Sequence, residues 1–173
     1  RLIEDRAFRL AITENDTILN YLPLFHLFSY SEGALTSKLT GARQILMETF
    51  DPDKSIQLVQ TDGVTIMHGF ETHLKDLTES QERLNVDVST LRCGLFACGM
   101  KSSVPICRKA ADVLAPLVSI TGYGMSEMGA GTLIGSLGAS LEQRAETSGY
   151  TAPGFECRIV NAETNNEQAI DEV

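Results

Sequence analysis

The sequence predicts an α/β domain, a mainly parallel sheet with helices on its faces. Short apolar runs rich in β-branched residues recur at 17–22, 42–47, 64–67, 91–97 and 117–120, each of strand length. Between them stand helix-start and helix-stop residues, such as Asp51-Pro52 and Gly41. Strands alternating with helices favour parallel pairing. The composition permits this fold: 173 residues are enough for one domain with a core, and an apolar fraction of 43% argues against disorder.

Residues 1–12 mix charge with Leu2, Ile3, Phe8 and Leu10 and read as the end of a helix. Glu14-Asn15-Asp16 is turn chemistry. Residues 17–22 form a buried strand that Pro23 ends. Residues 29–39 read as a helix, in which Ser29, Ser31, Gly33 and Ala34 allow close approach to a neighbour or leave room for a ligand. Gly41 stops it as a left-handed glycine would. After the strand at 42–47, Asp51 as N-cap and Pro52 at the first position open a helix to Gln60. That helix is amphipathic, with Ile56, Val59 and Gln60 separating its faces.

Asp62-Gly63 turns the chain into the strand at 64–67. A break at His68 leads to a helix ending near Glu79, with Phe70 and Leu74 facing inward. Residues 80–89 are polar and read as a surface loop. The strand at 91–97 leaves through Cys98-Gly99-Met100-Lys101, and Pro105 opens a helix to about Ala115. Beyond the strand at 117–120, Gly129, Gly131, Gly135 and Gly138 suggest close-packed backbone. Residues 142–148 look polar and mobile, residues 157–160 read as a further strand, and 164–167 as a turn in an acidic tail.

A net charge of −9 disfavours nucleic-acid backbones and anionic membranes. No run has the length of a membrane helix, and no signal-peptide pattern opens the chain. The arginine at position 1 suggests an excised or processed piece. Cys93, Cys98, Cys107 and Cys157 lack zinc-site spacing and fit reduced thiols in the cytoplasm. His68 and His73 stand about 140° apart on a helix, a poor metal pair.

The chemistry concentrates in 117–127, Leu-Val-Ser-Ile-Thr-Gly-Tyr-Gly-Met-Ser-Glu. Gly122 and Gly124 bracket Tyr123, whose ring can stack on a base. Ser126 offers a hydroxyl to a phosphate, and Glu127 a hard carboxylate of the kind Mg²⁺ prefers. Ligands of open α/β sheets gather at the carboxyl ends of strands. The same residues also fit a plain strand, tight turn and helix cap.

Thr-Gly-Tyr-Gly-Met-Ser-Glu at 121–127 resembles the central signature of the adenylate-forming enzymes: acyl-CoA synthetases, luciferases and peptide-synthetase adenylation domains. The usual form is Gly-Tyr-Gly-x-Thr-Glu, so Ser126 keeps the hydroxyl. Three further stretches agree in order. Leu22-Pro-Leu-Phe-His-Leu-Phe28 resembles the segment at the acyl pocket. Leu95-Phe-Ala-Cys-Gly-Met-Lys101 falls at the adenine loop, with Cys98 in place of a usual glycine and Met100-Lys101 in place of Ala-Pro. Ala152-Pro-Gly-Phe-Glu-Cys-Arg-Ile-Val160 resembles a later strand.

The resemblance implies that a fatty or related carboxylic acid is joined to ATP and then passed to coenzyme A, with Mg²⁺ required. It implies that Ser126 and Glu127 are catalytic and that Glu127 holds the metal. It assigns nucleotide contacts to Cys98, Gly99, Met100, Thr121, Gly122, Tyr123 and Ser126, and acyl contacts to His26, Phe28 and Gly124. It further implies a phosphate loop before Arg1, and a ribose-binding segment and lysine-bearing lobe after Val173. Residues 1–173 are then part of a large adenylation lobe, inactive alone, and the rest of the polypeptide is the partner. A cytoplasmic site, or one peripheral to a membrane, is expected. Two other readings stand beside this one: another adenylating subgroup, of the peptide-synthetase or luciferase kind, and a non-catalytic α/β binding domain.

Overall fold

A computed structural model describes residues 1–98 and 100–169. Helix α1 (Leu2–Arg9) precedes β1 (Thr17–Asn20), which is buried throughout. One continuous helical stretch follows: α2 (Leu27–Ser29), a π-helical segment (Tyr30–Leu35) and α3 (Thr36–Thr40). Gly41 ends it at φ 80°, the left-handed stop expected there.

Strand β2 (Arg43–Leu46) leads to α4 (Pro52–Asp62), where Asp51 Oδ1 accepts from Lys54 N at 3.0 Å. Two short strands, β3 (Ile66–Met67) and β4 (Gly69–Phe70), flank His68. After them come α5 (Glu71–Leu84), β5 (Cys93–Ala97), a 3₁₀ turn (Lys101–Ser103), α6 (Val104–Val113) and β6 (Val118–Ile120).

All pairings in this first sheet are parallel: β2 on β1, β1 on β3, β3 and β4 on β5, and β5 on β6. The pleat sends alternate side chains to opposite faces. Leu19, Met67 and Phe96 therefore join Ile56, Val59, Leu74, Leu77 and Leu114 from α4, α5 and the end of α6. Ile18, Ile66 and Leu95 join Leu10, Ile12 and Ile120 on the other face. Full burial of each such side chain contributes about 1.5–3 kcal/mol. The predicted α/β class and parallel sheet are what the chain adopts.

A second, antiparallel sheet is built from β7 (Gly122–Met125), β8 (Ala130–Ile134) and β9 (Tyr150–Thr151). The 3₁₀ turn Ser126–Met128 joins the first two, closing on Gly129 at φ 79°. The signature is thus a strand running into a hairpin, not a tight turn. Its glycines are extended ladder residues, needed because the partner strand lies so close.

Three further expectations are corrected. The stretch 80–89 is not all loop: α5 continues to Leu84. Its buried Ser80 hydroxyl donates to Asp53 Oδ1 at 2.6 Å, and the Gln81 amide Nε2 donates to the Val86 carbonyl at 2.8 Å. Residues 142–148 largely form α7 (Leu141–Glu146), started by a Ser140–Gln143 capping box with both bonds at 3.2 Å. Residues 157–160 form no strand, and only Val160 makes an isolated bridge, to Glu167.

Candidate functional site

The start of α2, strands β4 and β5 and the β7–β8 hairpin meet at one cavity of about 350 Å³. Strand β5 brings Leu95 and Ala97 to it, and the hairpin brings Tyr123, Ser126, Glu127, Gly131 and Leu133. The loop after β1 and the start of α2 bring His26 and Phe28, and β4 brings Phe70. The cavity lies at the carboxyl end of the parallel strands, where open α/β sheets take ligands.

His26 is the N-cap of α2, and its Nδ1 accepts from Phe28 N at 3.2 Å. The ring proton therefore sits on Nε2, free to donate. His26 meets Phe70 edge-on, with ring centroids 5.8 Å apart, and Phe70 meets Phe28 at 5.5 Å. These three rings make one apolar wall with a polar edge.

Opposite them stand the signature residues. Tyr123 is 49% exposed, so one face of its ring is free to stack. The Ser126 hydroxyl and the Glu127 carboxylate are exposed and make no side-chain hydrogen bond or ion pair among the described residues. Anchoring falls to the backbone: Gly129 N donates to the Ser126 carbonyl at 3.1 Å. Among the described residues no group of three or more His, Cys, Asp or Glu side chains could hold a metal ion. Glu127 alone suits Mg²⁺, which usually takes one or two carboxylates and completes its shell with substrate phosphates and water.

Seven of the residues assigned from sequence thus line one cavity: His26, Phe28, Gly122, Tyr123, Gly124, Ser126 and Glu127. Cys98 and Met100 line a second cavity with Lys101, Pro105 and Thr147. Cys98 is buried in the core, which leaves its backbone rather than its thiol for any ligand. Thr121 is buried, and its hydroxyl donates to the Thr147 carbonyl, so that group is already occupied. Gly99 lies outside the described residues. Phe70, Leu95 and Leu133 are wall residues that the sequence reading did not assign to the site, and Gly131, expected as close-packed backbone, lines it with them. The alternation of Gly131 and Leu133 along β8 was the available signal for the strand, and the close-packed backbone expected of these glycines is what β8 forms against β7.

The buried groups behind the site have shifted ionisation. Burial, aided by the charge of Arg6, lowers the His68 pKa to about 4. Burial raises the Glu32 carboxyl, opposed by Arg6 and Ser31. Glu32 lies in the π-helical segment, a distortion often found at functional sites.

The fold is an α/β protein in which a parallel sheet and an antiparallel hairpin meet at one cavity, with an aromatic ring, a hydroxyl and a carboxylate on the hairpin side. The chain belongs to the AMP-binding enzyme family, whose sequence profile matches residues 3–173. It is similar to the medium-chain fatty-acid–CoA ligase of Escherichia coli (strain K12), at 30% identity over 164 residues, 92% of this chain and 28% of that protein. It is also similar to an acyl-CoA ligase of Ajellomyces capsulatus, at 27% identity, covering 95% of this chain and 28% of that protein. The chain therefore spans a little over a quarter of the length of these curated relatives. Among solved structures, a long-chain-fatty-acid–CoA ligase from Archaeoglobus fulgidus superposes with a TM-score of 0.83 at 18% identity, covering 98% of this chain and 35% of that one. The o-succinylbenzoate coenzyme A synthetase of Bacillus subtilis, solved with ATP and magnesium ion, gives 0.79 at 24%, covering 99% and 34%. These two agree with the observed fold.

Proposed function

We propose that this chain is part of the large lobe of an acid–thiol ligase, and that the cavity holds a carboxylic acid against the α-phosphate of ATP. A carboxylate oxygen attacks the α-phosphorus, the bond to pyrophosphate breaks, and an acyl-adenylate forms. A thiol, that of coenzyme A, then takes the acyl group and AMP leaves. The observation that carries this reading is the convergence of Tyr123, Ser126 and Glu127 with the His26–Phe28–Phe70 wall on one cavity. The two named relatives are fatty-acid–CoA and acyl-CoA ligases.

The roles follow from the chemistry. An anion attacks an anion, so charge neutralisation and positioning must supply most of the rate. Tyr123 stacks on the base, with the backbone around Gly122 beside it. Ser126 donates to the α-phosphate. Glu127 holds Mg²⁺, which when bound neutralises phosphate charge. The aromatic wall takes the hydrocarbon of the acid, with His26 Nε2–H facing its polar end and Gly124 leaving room. Cys98 and Met100, on the neighbouring cavity, supply the base's second wall through their backbone, and the resemblance assigns Gly99 to the same wall. The four cysteines are free, which supports a cytoplasmic setting. No helix among the described residues is long and apolar enough to cross a membrane.

The test is pyrophosphate release with ATP, Mg²⁺ and a panel of carboxylic acids. It is run on a longer polypeptide containing this chain and on residues 1–173 alone. Turnover by the longer protein and none by the shorter is expected. Turnover by neither would remove the ligase reading, and turnover by the short chain would remove the partial-lobe reading.

A further inference from the structure

Two parts of the cavity wall come from distant parts of the chain. His26 and Phe28 stand at the start of the helical stretch 27–40, and Gly131 and Leu133 stand on β8. Among the described residues no hydrogen bond joins that helical stretch directly to the hairpin. Arg6, on α1, ties them together. Its Nη1 pairs with Glu32 of the helical stretch and lies 3.4 Å from Ser31 Oγ, and its Nη2 donates to the Gly131 carbonyl on β8. Arg6 and Glu32 are 1% and 2% exposed, and neither lines the cavity.

The π-helical segment brings Glu32 to this position. Its wider turn shows in the bonds of Thr36, whose N–H and hydroxyl both reach the Ser31 carbonyl five residues back, the hydroxyl at 2.8 Å. Ser31 Oγ stands 3.1 Å from Glu32 Oε1 and 3.3 Å from the carbonyl of Phe28, a wall residue. The carboxylate is therefore held against the same turn that carries the wall.

Stability alone does not account for the pair. Apolar side chains of similar volume often match or exceed a buried ion pair. Arg6 also leaves its Nε without an acceptor among the described residues, which costs stability. What the guanidinium adds is direction. Charge-assisted hydrogen bonds are short and weaken steeply when bent, whereas apolar contacts can slide. A planar fork bonded to both Glu32 and the Gly131 carbonyl fixes the separation of those two groups.

We infer that Arg6 and Glu32 are positioning residues that set the spacing between the helical wall and the β8 wall, and through it the width of the acyl group the cavity accepts. This rests on the reading that the cavity holds an acyl group. Through the ladder the same tie reaches the signature strand, since Gly131 pairs with Gly124 and Leu133 with Tyr123.

The test measures kcat/KM in the longer polypeptide for acids of graded width: straight-chain, methyl-branched and ring-bearing. In a fitted apolar pocket one methyl or methylene changes kcat/KM by roughly tenfold or more. The wild type should show a ratio of that size between the best-fitting acid and the same acid widened by one methyl branch. The double variant Arg6→Met with Glu32→Leu fills the core without buried charge, so it should melt no lower than the wild type. It should nevertheless bring the ratio close to one, because nothing directional then holds the walls. Should it fail to fold, Arg6→Lys keeps the charge but offers one nitrogen in place of the fork, and it should lower the same ratio. An unchanged ratio in a folded variant would overturn the inference and leave the pair as core filling. A wild type indifferent to acid width would overturn it too. In both cases pyrophosphate release by the wild type leaves the acid-activating reading standing. Absence of release with every acid would remove that reading and this inference with it.

Discussion

Gly124 faces Gly131 across the β7–β8 ladder so closely that a Cβ on Gly124 would overlap Gly131 Cα and the Ala130 carbonyl. Those are backbone atoms and cannot swing aside. Gly124→Ala should therefore force the hairpin apart, costing about 1–3 kcal/mol as overpacking does elsewhere. Thermal melts of the two proteins check this, with a drop of several degrees expected. Adenylation should fall as well, since the displaced strand carries Tyr123. An unchanged melting temperature would show that the ladder absorbs the methyl.

Glu127→Gln keeps the shape of the side chain and removes its charge. The residue is exposed and bonded to nothing among the described residues, so folding should be unaffected. In the longer polypeptide, adenylation at limiting Mg²⁺ should fall on the order of a hundredfold, the usual loss for a well-placed electrostatic contact. A mutant with the wild-type rate under those conditions is not missing a metal ligand.

Tyr123 separates stacking from hydrogen bonding. Its ring is half exposed and its hydroxyl makes no bond among the described residues. Tyr123→Phe should bind ATP almost as the wild type does, whereas Tyr123→Ala should weaken binding by about 1–3 kcal/mol. Calorimetry alongside melting curves distinguishes this from a packing role. Equal affinities for two folded variants would exclude stacking.

His68 links stability to pH. Burial and the nearby Arg6 lower its folded pKa to about 4, from the ordinary histidine value of 6.5. Between those values the unfolded chain binds a proton that the folded chain refuses. Stability should therefore decrease as pH falls from about 6.5 to about 4, by as much as roughly 3 kcal/mol. Burial also lowers His73, opposed by Asp76, and adds to the same trend. In denaturant titrations, His68→Gln, which can still accept from Leu95 N, should flatten the slope without abolishing it. An equal slope in the two proteins would place the titrating group elsewhere.

The sequence by itself determined most strands of the parallel sheet and several helix ends, because those depend on neighbours along the chain. Asp51-Pro52 capped α4, Gly41 stopped α3, and Ile18–Leu19 and Ile66–Met67 had the apolar pairs that a doubly covered strand requires. It also singled out Tyr123, Ser126 and Glu127, since ring, hydroxyl and carboxylate follow one strand within a few residues. Local signals failed where partners were distant. Polar Ser80 and Gln81 read as loop because the acceptors of their donors, Asp53 and the Val86 carbonyl, are supplied by the folded chain. Gly129 and Gly131 read as close-packed backbone without a partner, because the strand pressed against them, β7, is set beside β8 only when the hairpin forms. Only the tertiary structure brought Phe70, Leu95 and Gly131 to the wall of one cavity and set Arg6 behind it. Arg6 and Gly131 are 125 residues apart, and no periodicity in a single chain encodes a contact made by burying two distant segments together.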